Sequence, residues 1–208
     1  MRPLGRLHLL TDTHIQQRYS HRQLVELALA SASSEVVLQY REKAYAPERH
    51  HDELYRIAEL ARRQGSTLLI NDYVDLAAEL GCGTHIGQED LAPEKARNLL
   101  GPDAVIGLTV HTEEELEAAN ALDEIDYVGI GPVFGTTTKY TAHPALQLEG
   151  LKRLCDQSRH RIIAIGNINV ENLPQVLEQG AYGVAILSAW INAPKPAKAV
   201  EELLACLN

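Results

Sequence analysis

The sequence predicts a closed barrel of eight parallel strands that alternate with helices, the (β/α)8 TIM barrel. Eight short apolar runs rich in Val, Ile and Leu recur along the chain, and longer amphipathic stretches separate them. Nearly continuous hydrophobicity of this kind is typical of parallel strands that are buried on both faces. The 208 residues lie near the lower limit of about 200 for this fold. Because no linker or composition break divides the chain, we predict one domain over residues 1–208.

The eight runs are predicted as strands over residues 7–10, 36–39, 67–70, 84–87, 104–108, 127–130, 162–165 and 183–187. Each run is too short for a buried helix, and most are bounded by Gly, Asn or Asp. An open doubly wound sheet is the competing arrangement. The first strand lacks the GxGxxG turn of that fold, and eight regular units favour closure.

Helix signals lie between the predicted strands. Residues 47–65 open with a proline, place apolar residues at helical spacing and close with a glycine. Thr112 followed by Glu115 is a capping-box pattern, which predicts a helix after the fifth strand. Residues 172–180, with a proline in the first turn, and residues 200–207 predict two later helices.

Composition argues against several classes of function. The 19 Lys and Arg residues face 28 Asp and Glu residues, and the resulting net charge of −9 disfavours binding to nucleic acid. No segment approaches the roughly 20 apolar residues of a membrane span, and the first residues do not resemble a signal peptide, so we expect a cytoplasmic protein. Cys82, Cys155 and Cys206 stand far apart, in no spacing typical of zinc sites or disulfide frameworks.

Polar side chains cluster after the predicted strands, at the end where barrels of this fold carry their chemistry. Gln39, Arg41 and Lys43 are spaced by two, so an extended chain would turn all three toward the barrel mouth. Tyr40 and Glu42 would then face the other way. A solvated loop with ordinary surface charges is the alternative interpretation.

Two carboxylates end consecutive predicted strands. Asp72 and Asp90 could both reach one cation, because neighbouring strands lie about 4.8 Å apart. Mg²⁺ fits best, since it is typically bound through one or two carboxylates, several waters and phosphate oxygens. Alternatively, each aspartate caps the helix that follows it. Together with the nearby cations, the pair favours a site for magnesium and a diphosphate.

Further candidate site residues lie in the loops that follow strands five to eight. The loop of Thr136, Thr137, Thr138 and Lys139 is suited to wrap an anion with amides, hydroxyls and a cation. The loops after strands seven and eight carry Gly166, Asn167 and Ser188, where barrels often bind phosphate. His111 follows strand five; an acid–base role and a packed or solvent-facing position are equally compatible with the sequence. His21 is interpreted as a surface residue.

Six ordered motifs resemble one family. They are QYREK at 39–43, IND at 70–72, HIGQED at 85–90, GPVFGTTTK at 131–139, AIGNIN at 164–169 and GVAILSA at 183–189. Together they resemble the thiamine-phosphate synthase family over nearly the whole chain. The resemblance implies a barrel enzyme, a transferase of thiamine biosynthesis, that joins a hydroxymethylpyrimidine diphosphate to a thiazole phosphate with magnesium and releases diphosphate.

The resemblance also implies roles for single residues. The magnesium ligands would be Asp72 and Asp90, and the catalytic groups at the diphosphate would be Arg41, Lys43, Thr109 and Lys139. The wider substrate-binding set would comprise Gln39, Tyr40, Arg41, Glu42, Lys43, Asn71, Thr109, Thr136, Thr137, Thr138, Lys139, Asn167, Leu187 and Ser188.

Departures from the family pattern keep two alternatives open. Thr109 replaces the usual serine, and Asn167 replaces a glycine that lets the backbone approach the thiazole phosphate. One alternative is the related thiazole tautomerase, with His111 as proton carrier and no magnesium. The other is a non-catalytic barrel that binds thiamine precursors. We expect small-molecule substrates, neither nucleic acid nor membrane as partner, and, from the resemblance alone, a homodimer.

Overall fold

A computed structural model describes residues 4–32, 36–43, 51–136 and 143–207 of the chain. Within these residues, eight parallel strands close into a barrel in sequence order, each strand pairing with the next and β8 with β1. The strands are β1 (Leu7–Thr11), β2 (Val36–Tyr40), β3 (Thr67–Asn71), β4 (Gly83–Ile86), β5 (Ile106–Val110), β6 (Tyr127–Ile130), β7 (Arg161–Ile165) and β8 (Gly183–Ile186). The predicted (β/α)8 barrel is confirmed.

Helices connect the strands and cover the outside of the barrel. In the described residues they are α1 (His21–Ser31), α2 (His51–Arg63), α3 (Val74–Leu80), α4 (Pro93–Leu100), α5 (Glu113–Asn120), α6 (Gln147–Gln157), α7 (Leu173–Glu178), α8 (Ser188–Ile191) and α9 (Pro196–Ala205). The helices predicted within 47–65, 172–180 and 200–207 correspond to α2, α7 and α9. No described helix is long and apolar enough to cross a membrane.

Alternation along each strand divides the apolar side chains into two layers. In β1, Leu7 and Leu9 belong to the large cluster between barrel and helices. Leu10 belongs to a smaller cluster inside the barrel, with Leu69 and Ile163 among its members. Every residue of β1 is buried, as expected for strands covered on both faces. The inner layer does not fill the barrel at the carboxyl ends of the strands, and the cavity of the candidate site lies there.

Seven of the eight predicted strands differ from the structure by one or two residues at an end, and three of them lose residues that were predicted as strand. Residues 104 and 105 precede β5, because side chains form hydrogen bonds with the backbone there. The Arg97 guanidinium donates to the carbonyl of Ala104, and the Asp126 carboxylate accepts the amide of Ile106. Gly87 falls outside β4, since its amide donates to Asp90 instead of to the sheet. Leu187 leaves β8 because it is the N-cap position of α8.

The capping box at α5 is only half formed. The hydroxyl of Thr112 accepts the amide of Glu115, as predicted. The Glu115 carboxylate, however, accepts the amide of His111, 2.6 Å away, and not that of Thr112. This contact stabilises the last turn before the helix and holds the His111 backbone in place.

Candidate active site

A cavity of about 480 Å³ opens at the carboxyl ends of the strands, which we call the mouth. It is lined from every strand of the barrel. Among its lining residues are these sequence candidates: Gln39, Arg41, Lys43, Asn71, Asp72, Asp90, Thr109, His111, Thr136, Asn167, Leu187 and Ser188. The structure therefore brings together candidates separated by almost 150 positions in the chain. Thr137, Thr138 and Lys139 lie outside the described residues.

The segment after β2 keeps the alternation of a strand although the strand itself ends at Tyr40. The Arg41 amide donates to the Thr11 carbonyl, which extends the pairing of β1 and β2 by one step. Gln39, Arg41 and Lys43 consequently face the cavity. The prediction of one inward-facing row is confirmed, and the solvated-loop interpretation is wrong for Arg41, which is buried.

Asp72, Asp90 and Lys43 form a charged group at the mouth. Lys43 makes an ion pair with Asp72, and the two carboxyl groups lie close enough to interact directly. Burial, opposed by the Gly87 amide, and then the charge of Asp72 raise the pKa of Asp90 above its usual value. Neither aspartate caps a following helix: the N-cap residues are Tyr73 and Ala92, without side-chain caps.

This donor set fits a magnesium ion. Two carboxylates this close together repel each other when both are charged, and a divalent cation between them relieves that repulsion. Oxygen ligands suit Mg²⁺. Among the residues described, no group of three or more His, Cys, Asp or Glu side chains could hold a metal. The remaining coordination positions would fall to water and phosphate oxygens, which is the usual arrangement for Mg²⁺.

A buried carboxylate holds Arg41 from behind. Asp12 makes an ion pair with Arg41, with side-chain exposures of 2% and 10%. Its other oxygen accepts the amides of His14 and Ile15, at 2.9 and 3.1 Å. Because the carboxylate is fixed by two backbone groups, the guanidinium has one well-defined position at the cavity wall.

A second buried network lies behind the cavity wall and corrects two predictions. Tyr40 packs against His21, with ring centroids 4.3 Å apart and ring planes tilted by 48°. Glu42 contacts His21 Nε2 at 3.3 Å and accepts the hydroxyl of Thr13 at 2.7 Å. Both side chains point toward α1, as the alternation requires, so they support the neighbouring cations from behind and do not face the substrate cavity. His21 is completely buried, so its interpretation as a surface residue is wrong.

Deeper in the barrel, a layer formed by His8, His85 and Tyr127 makes what we call the floor. The Tyr127 hydroxyl lies 2.8 Å from His85 Nδ1, and His85 Nε2 lies 2.8 Å from the Thr109 hydroxyl. Glycines make room for these rings: a Cβ on Gly107 would lie 2.1 Å from the Tyr127 ring. Burial raises the pKa of Tyr127 far above its usual value, so its hydroxyl is neutral.

His111 lines the cavity with a fixed orientation. Its Nδ1 lies 2.6 Å from the carbonyl of Gly131 and donates to it. The ring stacks on His143, with centroids 4.3 Å apart and planes 14° apart. His111 is half-buried and packed while it lines the cavity, so both the packed interpretation and an acid–base role stay open.

The loop after β7 carries two residues with positive φ at the cavity wall. Gly166 has φ of 115°, and a Cβ there would lie 2.6 Å from Pro132 Cα, so this position requires glycine. Asn167 has φ of 51°, a conformation that asparagine tolerates better than most residues. The side-chain amide of Asn172 donates to the backbone carbonyl of Asn167 at 3.0 Å and stabilises the turn.

Sequence reasoning missed residues that the structure places in the site or directly behind its wall. For His21, the signal was present: His21, Leu24, Val25 and Ala28 follow helical spacing and form the buried face of α1. For His8, the signal was a histidine flanked by leucines inside a buried strand. Nothing in the sequence indicates that His143 stacks on His111.

Comparisons with known proteins agree with one another. The family model described as thiamine monophosphate synthase matches residues 7–190. A thiamine-phosphate synthase from Salinibacter ruber is 37% identical over 99% of this chain and 89% of its own, and one from Azorhizobium caulinodans is 38% identical over 95% and 92%.

Solved structures give the same picture at the level of the fold. Thiamine phosphate pyrophosphorylase from Pyrococcus furiosus superposes with a TM-score of 0.84 at 28% identity, over 97% of this chain and 95% of that one. A 3-hexulose-6-phosphate synthase, at 17% identity and a TM-score of 0.68, shares the fold alone. With the family model matching most of its length and relatives well above 30% identity, the chain belongs to the thiamine monophosphate synthase family.

Proposed function

We propose that this protein is a thiamine-phosphate synthase, which couples 4-amino-2-methyl-5-hydroxymethylpyrimidine diphosphate to a thiazole phosphate. The observation that carries the proposal is the grouping of two cations, Arg41 and Lys43, with two carboxylates, Asp72 and Asp90, at one side of a deep cavity. Cations bind a diphosphate directly, and carboxylates bind it through a divalent metal. The family to which the chain belongs and its curated relatives support the same reaction.

In this reaction, the bond between the pyrimidine methylene carbon and the diphosphate oxygen breaks, and the electron pair leaves with diphosphate. The thiazole nitrogen then forms the new bond to the methylene carbon. The main catalytic task is therefore to stabilise negative charge on the leaving group and to position two rings. No strong base is required, which agrees with a site that presents cations in place of a nucleophile.

The residues of this chain divide that task. Arg41, held by Asp12, presents a fixed charge to the diphosphate, whereas Lys43 is half exposed and can move from Asp72 to a phosphate oxygen. Gln39 and Asn71 lie beside these cations and would bind the pyrimidine diphosphate, and Thr109 lies two strands beyond Asn71, on β5. Bound Mg²⁺, held by Asp72 and Asp90, would neutralise further charge on the leaving diphosphate.

The second substrate would lie at the opposite wall. Asn167, Leu187, Ser188 and Thr136 line the cavity there, and we assign them to the thiazole phosphate. The amide of Asn167 would donate to a phosphate oxygen where the family pattern has a bare backbone. From the resemblance, Thr137 and Thr138 are proposed for the thiazole phosphate as well, and Lys139 is proposed for the diphosphate. A cytoplasmic location and a homodimer complete the proposal.

The test is formation of thiamine phosphate from both precursors, followed as its fluorescent oxidation product, with Mg²⁺ and then with a chelator. We expect product with Mg²⁺ and loss of product with chelator. Asp72→Ala should abolish turnover, and Asp75→Ala, an exposed aspartate three positions along the same connection, is the matched control and should be as active as wild type. Absence of product from folded wild-type protein would contradict the proposal.

The tautomerase alternative rests on His111, which lines the cavity with its Nδ1 committed to Gly131. In that enzyme, the imidazole would carry a proton at Nε2, and magnesium would be dispensable. His111→Ala separates the two functions. A small effect on coupling supports the synthase, whereas an inactive His111→Ala beside a fully active Asp72→Ala would favour the tautomerase.

A further inference from the structure

The floor of the cavity contains one histidine with an unusual hydrogen-bonding state. His8 is the second residue of β1, lies level with Val37 and Ala185, and is 1% exposed. It lines the cavity from below, and its ring meets Tyr127 edge to face at 5.0 Å between centroids. The proposed reaction at the mouth has given this residue no role so far.

One ring nitrogen of His8 has a partner and the other does not. The backbone of Gly5 accepts a hydrogen bond from the imidazole. Nε2 is buried and has no hydrogen-bond partner among the described residues, so the donor to Gly5 is Nδ1. A buried polar atom without a partner destabilises the folded protein, so a ligand that supplies the missing partner would be favoured there.

The unpartnered nitrogen is an acceptor. Burial, and then the proximity of His85, lower the pKa of His8 to about 3, against the weaker opposing effect of Gly5. The ring is therefore neutral near pH 7, with its proton on Nδ1 and a lone pair on Nε2. A ligand that satisfies it must bring an N–H or O–H group.

Neighbouring polar groups on the floor are already engaged. The Tyr127 hydroxyl and His85 Nδ1 contact each other, and His85 Nε2 contacts Thr109. Around them the inner wall is apolar, with Leu10 and Ile163 facing the cavity. A planar ring with one donor group suits this combination of apolar walls and a single buried, unpartnered acceptor.

We propose that His8 determines specificity in this enzyme by accepting, at Nε2, a hydrogen bond from the exocyclic amine of the pyrimidine substrate. The inference rests on the proposed function, which supplies the two ring substrates. Only the pyrimidine carries a neutral N–H donor on its ring, because the hydroxyl of the thiazole is esterified by phosphate. The pyrimidine thus occupies the floor, and the thiazole lies nearer the mouth.

The test compares two ligands, the pyrimidine diphosphate and its analogue with hydrogen in place of the amine. Their binding to the full chain is measured by calorimetry with Mg²⁺ and without thiazole. We expect wild type to bind the amine about tenfold more tightly, since one neutral hydrogen bond to a buried acceptor contributes about 1.4 kcal/mol. Equal binding by wild type would overturn the inference.

Two variants test whether His8 is the source of the preference for the amine-bearing ligand. His8→Phe keeps a planar ring and removes the acceptor, so it should bind both ligands equally. His14→Phe makes the same exchange at an exposed histidine outside the cavity, and it should keep the tenfold preference. If His8→Phe retains the preference, His8 is not its source and the inference falls.

A measurement on wild type covers the case in which His8→Phe does not fold. The ¹⁵N resonance of His8 Nε2 should shift when the amine binds and stay unchanged with the analogue; no shift with the amine overturns the inference. The outcomes also separate the two proposals. Thiamine phosphate formation without amine preference removes the role of His8 alone, whereas amine preference without product removes the proposed function alone.

Discussion

Neutralising Asp12 should destabilise the protein strongly, although Asp12 is not itself in the cavity. In Asp12→Asn, the amide oxygen can still accept the amides of His14 and Ile15. The amide group, however, presents a donor to Arg41 where the carboxylate presented a charge. The variant therefore isolates the ion pair from the turn that Asp12 also stabilises.

The size of the effect follows from burial. With side-chain exposures of 2% and 10%, the pair lies in the regime where removal of one partner leaves an uncompensated buried charge, at a cost of ~3 kcal/mol or more. For a chain of this length, each kcal/mol lowers the melting temperature by about 2–4 °C. We therefore expect a decrease of about 6–12 °C, measured by circular dichroism and checked by urea denaturation.

An exposed ion pair provides the control. Lys152 and Asp156 stand four residues apart on α6, with side-chain exposures of 48% and 59%, and such pairs contribute less than about 1 kcal/mol. Lys152→Ala should therefore leave the urea midpoint almost unchanged. If Asp12→Asn behaves like Lys152→Ala, the buried pair does not hold Arg41 and the reasoning is refuted.

Three further predictions concern the floor. His8 has a lowered pKa in the folded state, so the unfolded chain takes up a proton below pH 6.5 that the folded chain cannot. Stability should fall with pH from 6.5 toward 3, and wild type should lose ~2 kcal/mol relative to His8→Phe between pH 7 and 5, in urea titrations; a constant difference would contradict this. Gly107→Ala should cost about 1–3 kcal/mol, because the new Cβ meets the Tyr127 ring, and an unchanged urea midpoint would argue against that contact. Thr109→Val should lower kcat/KM about tenfold by freeing His85, whereas Thr109→Ser should remain near wild type; equal losses in both would show that the hydroxyl does not matter.

Much of the mouth could be predicted from the sequence because it depends on local geometry. Alternation along an extended chain places Gln39, Arg41 and Lys43 on one side whatever the rest of the barrel does. Parallel strands in sequence order bring their carboxyl ends to one edge, so Asp72 and Asp90 had to be neighbours. Both inferences needed only the period of a strand and the order of the elements.

The floor could not be predicted, because its contacts cross the barrel. His8 meets Tyr127 only because strand tilt and stagger bring β1 and β6 into one layer and Gly107 leaves space for the ring. No spacing in the sequence encodes that distance. His21 is a different case: helical periodicity places it on the buried face of α1 with Leu24, Val25 and Ala28, so its burial could be predicted from the sequence.

The two cations at the mouth are compensated in different ways, and this difference bears on how the site would accept a diphosphate. Arg41 keeps a buried partner that solvent and ligand cannot replace, whereas Lys43 is 48% exposed and its partner Asp72 is 22% exposed. Exposed pairs exchange partners at little cost, and buried pairs do not. A diphosphate entering the cavity would thus draw Lys43 away from Asp72, and the released carboxylate would be available to a cation beside Asp90. The ion pair between Lys43 and Asp72 therefore keeps the site compensated without substrate, and its exchange would couple the arrival of the diphosphate to the formation of the metal site.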